Sequence, residues 1–347
     1  MLYSVIIAGG EGTRLWPLST SNAPKPLLKV FKDKTLLELT IERLLPVTSK
    51  ENILIIITKN MESKVKELLP LFPQENIIVE PIGKNTAPCI ALAARILIDK
   101  DQNAEIGIFP SDHIIINQNH FYDCVRLGKM LADKYDRLVL LGMPPVSPST
   151  GYGYILLGDE IPDENHEIKC FWGGGFQEKP PLNVAKKYLK KGNTLWNSGI
   201  YIGKASQFLK EIERNLPNVY DSINLFYKDH FGLRNAYESF PSVSIDYAIT
   251  EKLTNFIAIW SNIERIDVGN FNAFFDIWEK DELNNAVDGE FIGINSSNNI
   301  IFSPQKSIAA IGINNMVIIN TSEVTMICPR ENISEIKALQ KRWNILK

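Results

Sequence analysis

The feature that most limits what this chain can fold into is a rhythm. The runs 3–8, 53–58, 77–80, 106–110 and 138–143 are apolar at almost every position, and the helical patterns 36–45, 62–69, 86–100 and 120–134 stand between them. A strand with one face in water alternates apolar and polar residues; a continuously apolar run is a strand buried on both faces. Strand and helix in alternation imply right-handed βαβ crossovers, and hence an α/β fold with a Rossmann-like, doubly wound, mostly parallel sheet. Such sheets bind ligands beyond the C-terminal ends of their strands, so the segments after those ends are read first for chemistry.

After about residue 145 the pattern loosens into Gly-rich and aromatic segments with helical patterns at 182–191, 205–215 and 272–280. They read as a substrate-binding half inserted into the same sheet. The texture changes again near residue 284. Phe291-Ile292, Ile300-Ile301, Ile308-Ala309, Val317-Ile318-Ile319 and Met326-Ile327 recur at roughly 8–10 residues between short polar turns. A small β-solenoid and a plain antiparallel sheet both suit that spacing. An amphipathic helix over 333–343 follows Pro329. A chain of 347 residues carries about two domains at roughly 150 residues each, and the division expected here is 1–282 and 283–347.

Composition removes several classes of function. The net charge is −3 and no basic run is present, which argues against nucleic acid as a partner. The apolar runs are too short to span a bilayer, and the N-terminus lacks the basic region of a signal peptide. Cys89, Cys124, Cys170 and Cys328 are far apart and form no C-x-x-C pair, so reduced structural thiols and a cytoplasmic location are expected. Only four histidines occur, and no Ser-His-Asp or Cys-His arrangement is visible, so a covalent intermediate is not indicated.

Directly after the first apolar run comes Ala8-Gly9-Gly10-Glu11-Gly12-Thr13-Arg14. Closely spaced glycines let backbone N–H groups approach an anion, and Arg14 adds a fork of donors suited to phosphate. A tight turn is the plainer reading. Neither the G-x-G-x-x-G fingerprint nor the Gly-Lys-Ser/Thr ending of a Walker loop is met. Lys25 stands between Pro24 and Pro26, which stiffen its backbone.

The run from Ala8 through Trp16-Pro17-Leu18-Ser19, followed by Pro24-Lys25-Pro26-Leu27-Leu28, resembles the sugar-1-phosphate nucleotidyltransferases, and its Trp-Pro-Leu-Ser ending is most similar to their mannose-1-phosphate guanylyltransferase branch. Glu80-Pro81-Ile82-Gly83-Lys84-Asn85-Thr86-Ala87-Pro88 is similar to a motif of that branch. A Glu80 carboxylate can accept from both N1–H and N2–H₂ of guanine, and adenine offers no such donor pair. Asn85 and Thr86 either line the nucleotide site or only cap the helix that begins there. Phe109-Pro110-Ser111-Asp112-His113 and Asp267-Val268-Gly269-Asn270 resemble the family segments that supply two metal-binding carboxylates. The resemblance therefore implies Mg²⁺ on Asp112 and Asp267. It implies nucleotide contacts from Ala8, Gly9, Gly10, Gly12, Thr13, Arg14, Lys25, Glu80, Asn85, Thr86, Ser111 and Asp112. His113 is read as structural.

Three segments resemble the family's sugar side: Gly151-Tyr152-Gly153-Tyr154-Ile155, Phe176-Gln177-Glu178-Lys179-Pro180 and Trp196-Asn197-Ser198-Gly199. They imply sugar contacts from Gly151, Tyr152, Gly153, Glu178, Lys179 and Asn197. Asp246, in Ser244-Ile245-Asp246-Tyr247-Ala248, joins them, with a structural role as the competing reading. Arg14, Lys25, Asp112, Lys179 and Asp267 are the implied catalytic set. The chain departs from the branch at Pro26-Leu27, at Phe271 where tryptophan is common, and at the run Gly173-Gly174-Gly175. The activity implied is GDP-mannose and pyrophosphate from GTP and mannose 1-phosphate. A different nucleotide or sugar is the first rival, and a non-catalytic nucleotide-sugar sensor the second. The last segment resembles the short left-handed β-helix tail of single-function relatives, which implies a homodimer, no membrane partner, and no room for a further isomerase barrel.

Overall fold

The computed structural model describes residues 1–10, 12–20, 23–31, 33–162 and 167–346. Glu11 of the glycine loop lies outside the described residues. The chain divides into two compact units: 1–9, 41–110 and 115–264 in the first, and 10–40, 111–114 and 265–347 in the second.

The first unit is built on nine strands: β1 (Leu2–Ala8), β2 (Ile53–Thr58), β3 (Ile77–Glu80), β4 (Glu105–Pro110), β5 (Leu138–Met143), β6 (Tyr154–Glu160), β7 (Cys170–Gln177), β8 (Thr194–Lys204) and β9 (Phe256–Trp260). They lie in the order β3-β2-β1-β4-β8-β5-β9-β7-β6. Strands β1 to β4 run parallel, with Ile6 opposite Ile55 and Phe109. Strand β8 enters antiparallel between β4 and β5, β9 is parallel to β5, and β7 and β6 complete an antiparallel edge. The sheet is therefore mixed. The apolar runs report burial on both faces rather than strand direction: adjacent Val5 and Ile6 are both fully buried. The helix Thr86–Lys100 packs Ala87, Ile90, Ala91, Ala94 and Leu97 into that core. The segments 154–160, 170–177 and 194–204, for which the sequence reading named no strands, are strands of the same sheet.

Two ten-residue helices, besides the single turn Ile245–Ala248, have no counterpart in the sequence reading. Pro217–Phe226 begins with proline at its first turn, and His230–Ser239 is capped by Asp229, whose Oδ1 accepts from the Phe231 amide at 3.1 Å. Both are only ten residues long, which leaves few repeats of the helical period to read.

The second unit gathers Trp16, Leu36, Val268, Phe271, Phe274, Val317 and Met326 into its own core. Trp278 donates to the Val30 carbonyl at 3.2 Å, and Trp343 of the terminal helix meets Trp16 at 5.8 Å between ring centres. The tail has four strands: β10 (Ala286–Ile294), β11 (Ile300–Ile311), β12 (Met316–Asn320) and β13 (Thr325–Pro329). The first three stack in parallel and β13 turns back antiparallel, so the solenoid reading holds except at its last rung. The helix 272–280 is shorter than expected, Asn272–Ile277, and the terminal helix is Ile336–Leu346 after the 3-10 turn Arg330–Glu335.

The tail's many asparagines have two uses. Asn284, Asn295, Asn298 and Asn315 hold positive φ at the corners, which asparagine tolerates better than most residues. Asn285 and Asn299 are fully buried and form a ladder. Asn299 Nδ2 donates to Asn285 Oδ1 at 2.8 Å and to the Ile313 carbonyl at 3.0 Å, and its Oδ1 accepts from the Met316 amide at 2.9 Å. Replacing Asn299 by alanine removes three bonds and strands the Met316 amide, although Asn285 Oδ1 keeps the Asn299 amide and the Ile313 carbonyl keeps the Ser297 amide; it should cost about 3 kcal/mol. Denaturant unfolding reads this, and an unchanged midpoint would show that the ladder does not hold the tail. Among the described residues no helix is long and apolar enough to cross a membrane.

Candidate functional site

Each unit carries a cluster of polar side chains. In the first, β3 ends at Glu80, which is only 4% exposed. Its Oε1 is buried and has no hydrogen-bond partner. Burial raises the carboxyl to about 8, against a smaller lowering by the Tyr237 hydroxyl. Tyr237, from the unforeseen helix His230–Ser239, also donates to the Pro88 carbonyl at 3.3 Å. Asn85 caps the helix Thr86–Lys100 by accepting from the Thr86 amide at 2.8 Å, and Thr86 Oγ1 accepts from the Ile245 amide at 2.8 Å.

The sugar-side segments converge in the same unit. A Cβ on Gly153 would come within 2.4 Å of Glu178 Oε2, so only glycine lets the backbone lie against that carboxylate. Gly151 donates to Ser149 Oγ at 3.1 Å, and the Tyr152 ring packs on Trp196 at 4.9 Å. Lys179 has φ 43°, an uncommon value for a residue with a side chain and a form of strain that gathers at functional sites. Its ammonium donates to Glu178 Oε1 at 2.6 Å. Burial, then Asp246, raises the Glu178 pKa; burial works to lower that of Lys179, but the Glu178 carboxylate outweighs it and raises it. Asn197, Tyr201 and Asp246 form a hydrogen-bonded triangle.

The second unit collects charge. Gly12 has φ 69°, and a Cβ there would meet Lys25 Cβ and Ser19 Oγ at 2.6 Å, so the turn itself demands glycine. The same is not true of Gly10, where a Cβ would meet nothing within 4 Å, nor in the first unit of Gly9, where contacts would be ordinary. Thr13 and Arg14 follow in a single 3-10 turn. Lys25, 7% exposed, places its ammonium 2.5 Å from Asp112 Oδ2 and 3.8 Å from Asp267 Oδ1. Pairing of 265–267 with 113–115 sets the two aspartates side by side, and the Val268 amide donates to the Asp112 carbonyl at 3.1 Å. Thr40 Oγ1 donates to the carbonyl of buried Ser111 at 3.4 Å. Burial alone would raise Asp112, but Lys25, His113 and Arg265 hold it well below the usual carboxylate range. Asp267 is pushed up, by burial and then by Asp112.

Asp112, His113 and Asp267 each offer a ligand atom, and these atoms lie within 4.8 Å of one another. Asp267 Oδ1 is buried without a hydrogen bond, a deficit that a cation would relieve. The ring nitrogens of His113 stand 3.0 and 3.3 Å from Arg265 Nη1, so the two carboxylates are the better donors for a hard divalent ion.

A family model described as "Nucleotidyl transferase" matches residues 3–284. The chain belongs to that family. A second model, "MannoseP isomerase/GMP-like beta-helix domain", matches residues 289–342 of this nucleotidyl transferase. Among curated relatives, a mannose-1-phosphate guanylyltransferase of Klebsiella pneumoniae is 34% identical over 97% of this chain and 73% of its own length. One of Escherichia coli is likewise 34% identical over 97% of this chain and 73% of its length. A crystal structure from Thermus thermophilus, described as a mannose-1-phosphate geranyltransferase, is 27% identical and superposes with a TM-score of 0.87 over 99% of both chains.

Sequence reading placed Lys25, Asp112 and Asp267 together, and the fold unites them. It likewise joined Glu178, Lys179, Asn197 and Asp246. It overlooked Tyr201, Tyr237 and Arg265. Arg265 lies two residues before Asp267, a spacing that puts both on one face of a strand. Tyr201 is far in sequence from Asp246, and Tyr237 from Glu80, so no local signal marks either link.

Proposed function

We propose that this nucleotidyl transferase makes GDP-mannose and pyrophosphate from GTP and α-D-mannose 1-phosphate. The observation that carries the reading is Glu80: a buried carboxylate with an unpartnered oxygen suits a base with two adjacent donors, as guanine has. The names of the relatives agree with it.

Asn85 and Thr86 shape the same nucleotide-binding strand end. The backbones of Ala8, Gly9, Gly10, Gly12 and Thr13 approach the phosphates; glycine at positions 9 and 10, which packing does not require, supports this. Arg14, Lys25 and Ser111 take the triphosphate. Asp112 and Asp267 hold Mg²⁺, which when bound supplies charge neutralisation for the breaking α–β bond. Gly151, Tyr152, Gly153, Glu178 and Asp246 bind the sugar, with Asn197 in the same cluster, and Lys179 aligns its phosphate. An anionic oxygen of that phosphate attacks the α-phosphorus in line. One P–O bond forms as the α–β P–O bond breaks, and pyrophosphate leaves. The nucleophile is already ionised, so positioning and charge matter more than a proton acceptor. In this reading residues 1–282 are catalytic and 283–347 form a packing and dimerisation tail, on which Ile292, Ile294, Ile311 and Ile327 are exposed.

Pyrophosphate release measured across GTP, ATP, UTP and dTTP, with mannose and glucose 1-phosphates, tests the proposal. GTP with mannose 1-phosphate should give the highest kcat/KM. A faster pair of any other kind would replace the assignment.

A further inference from the structure

Tyr201 is 2% exposed, and its hydroxyl has three partners. It accepts from Asn197 Nδ2 at 2.8 Å and from Thr250 Oγ1 at 3.5 Å, and donates to Asp246 Oδ1 at 2.5 Å. Asn197 Nδ2 also donates to Asp246 Oδ1 at 2.9 Å, and Asn197 Oδ1 accepts from the Gly199 amide at 3.0 Å. An amide nitrogen carries two hydrogens, and both are thus spent inside the protein.

A bulge creates this arrangement. Asn197 lies opposite Gly142 and Tyr201 opposite Leu140, so β8 advances four residues while β5 advances two. Gly199, with φ 75°, allows the detour. It brings Tyr201 back beside Asn197, where both can reach Asp246.

Asp246 is left with one uncommitted oxygen: among the described residues no hydrogen bond falls on its Oδ2. The same carboxylate lies near enough to Glu178 and Lys179 to act on both electrostatically. A carboxylate is acceptor-only, and a sugar hydroxyl is a donor that fits it.

We propose that Tyr201 is a positioning residue of the sugar subsite, tying Asn197 and Asp246 together so that Asp246 Oδ2, not the Asn197 amide, accepts from a sugar hydroxyl. The inference rests on the sugar-phosphate reading above. Asn197 then serves as a strut whose donors hold the carboxylate, and Tyr201 is the fixed point from which both are hung.

The test uses the full chain and whichever sugar 1-phosphate the unaltered enzyme turns over best, so a wrong sugar in the proposed function leaves it intact. Tyr201→Phe keeps the ring and removes the hydroxyl. Its KM for the sugar phosphate should rise about tenfold, with KM for the nucleotide within about twofold. Asp246→Asn should raise the sugar-phosphate KM at least as much. The double variant should be no worse than Asp246→Asn alone, because Tyr201 acts through Asp246. Multiplying effects, an unchanged sugar-phosphate KM in Tyr201→Phe, or a parallel rise in both KM values would overturn the inference. A Tyr201→Phe chain that fails to fold, checked by calorimetry, would make the tyrosine purely structural and overturn it too. No turnover with any sugar phosphate by the unaltered chain would remove the proposed function and this inference together.

Discussion

Asp267→Asn should leave the fold intact and lower turnover by on the order of 10²-fold or more at saturating substrates and Mg²⁺. The substitution is nearly isosteric and removes only a charge. In the ligand-free protein that charge is costly: Asp267 Oδ1 is buried without a hydrogen bond, beside Asp112, and its pKa is raised by burial and by that neighbour. A structure keeps a strained carboxylate when something else balances it, and a divalent ion on Asp112 and Asp267 would do so. Asp112→Asn is the less clean experiment. It neutralises the partner held 2.5 Å from Lys25 and leaves the buried ammonium, among the described residues, with only Asp267, at 3.8 Å, so lost stability would mix with lost chemistry. Turnover of Asp267→Asn within about threefold of the unaltered enzyme would rule out the metal role, since a transition-state charge contact is worth far more.

Glu80→Gln should abolish most of the preference for GTP, with kcat/KM for GTP falling by up to about 10²-fold and that for ATP little changed. The glutamine presents one acceptor and one donor to a base edge that needs two acceptors. The same residue predicts a pH dependence. Burial lifts the Glu80 carboxyl to about 8, so the ligand-free protein keeps the proton below that pH. Guanine requires the ionised form, so GTP binding should release a proton below pH 8. Affinity should rise with pH until about 8 and then level. Folding stability runs the other way. The folded chain holds a proton that the unfolded chain gives up at the ordinary carboxylate pKa, so the Glu80 contribution declines as pH climbs from there to about 8. Calorimetry in buffers of different ionisation heat reads the released proton. Glu80→Gln should release none, and a variant that retained full preference for GTP would rule out Glu80 as the base reader.

What the sequence revealed and what it hid follow from physical range. The helix 86–100 matches Thr86–Lys100, and the strand 138–143 matches Leu138–Met143, because burial there depends on a local period. The phosphate-side residues were legible because glycine, proline and charge stand out in a short window. The longest strand of the first unit, Thr194–Lys204, was not, since its polar centre Asn197-Ser198-Gly199 breaks the apolar run. That interruption is the bulge on which the sugar cluster is built. Tyr201 and Tyr237 escaped notice for a related reason. A tyrosine in an apolar stretch looks like core until the fold shows that its hydroxyl meets Asp246 or Glu80.

The reversal at the last rung of the tail limits how the protein can grow. Parallel rungs stacked from β10 to β12 form a template, and an open final rung offers its backbone to any extended chain that arrives. Strand β13 occupies that position running the opposite way and ends at Pro329, which has no N–H to lend. The Arg330 amide then closes on the Asn315 carbonyl at 2.8 Å, and the chain leaves the stack for a helix. The solenoid thus carries its own terminator: Val317, Ile318 and Ile319 are paired internally, and a motif that could polymerise is fixed at three parallel turns of chain.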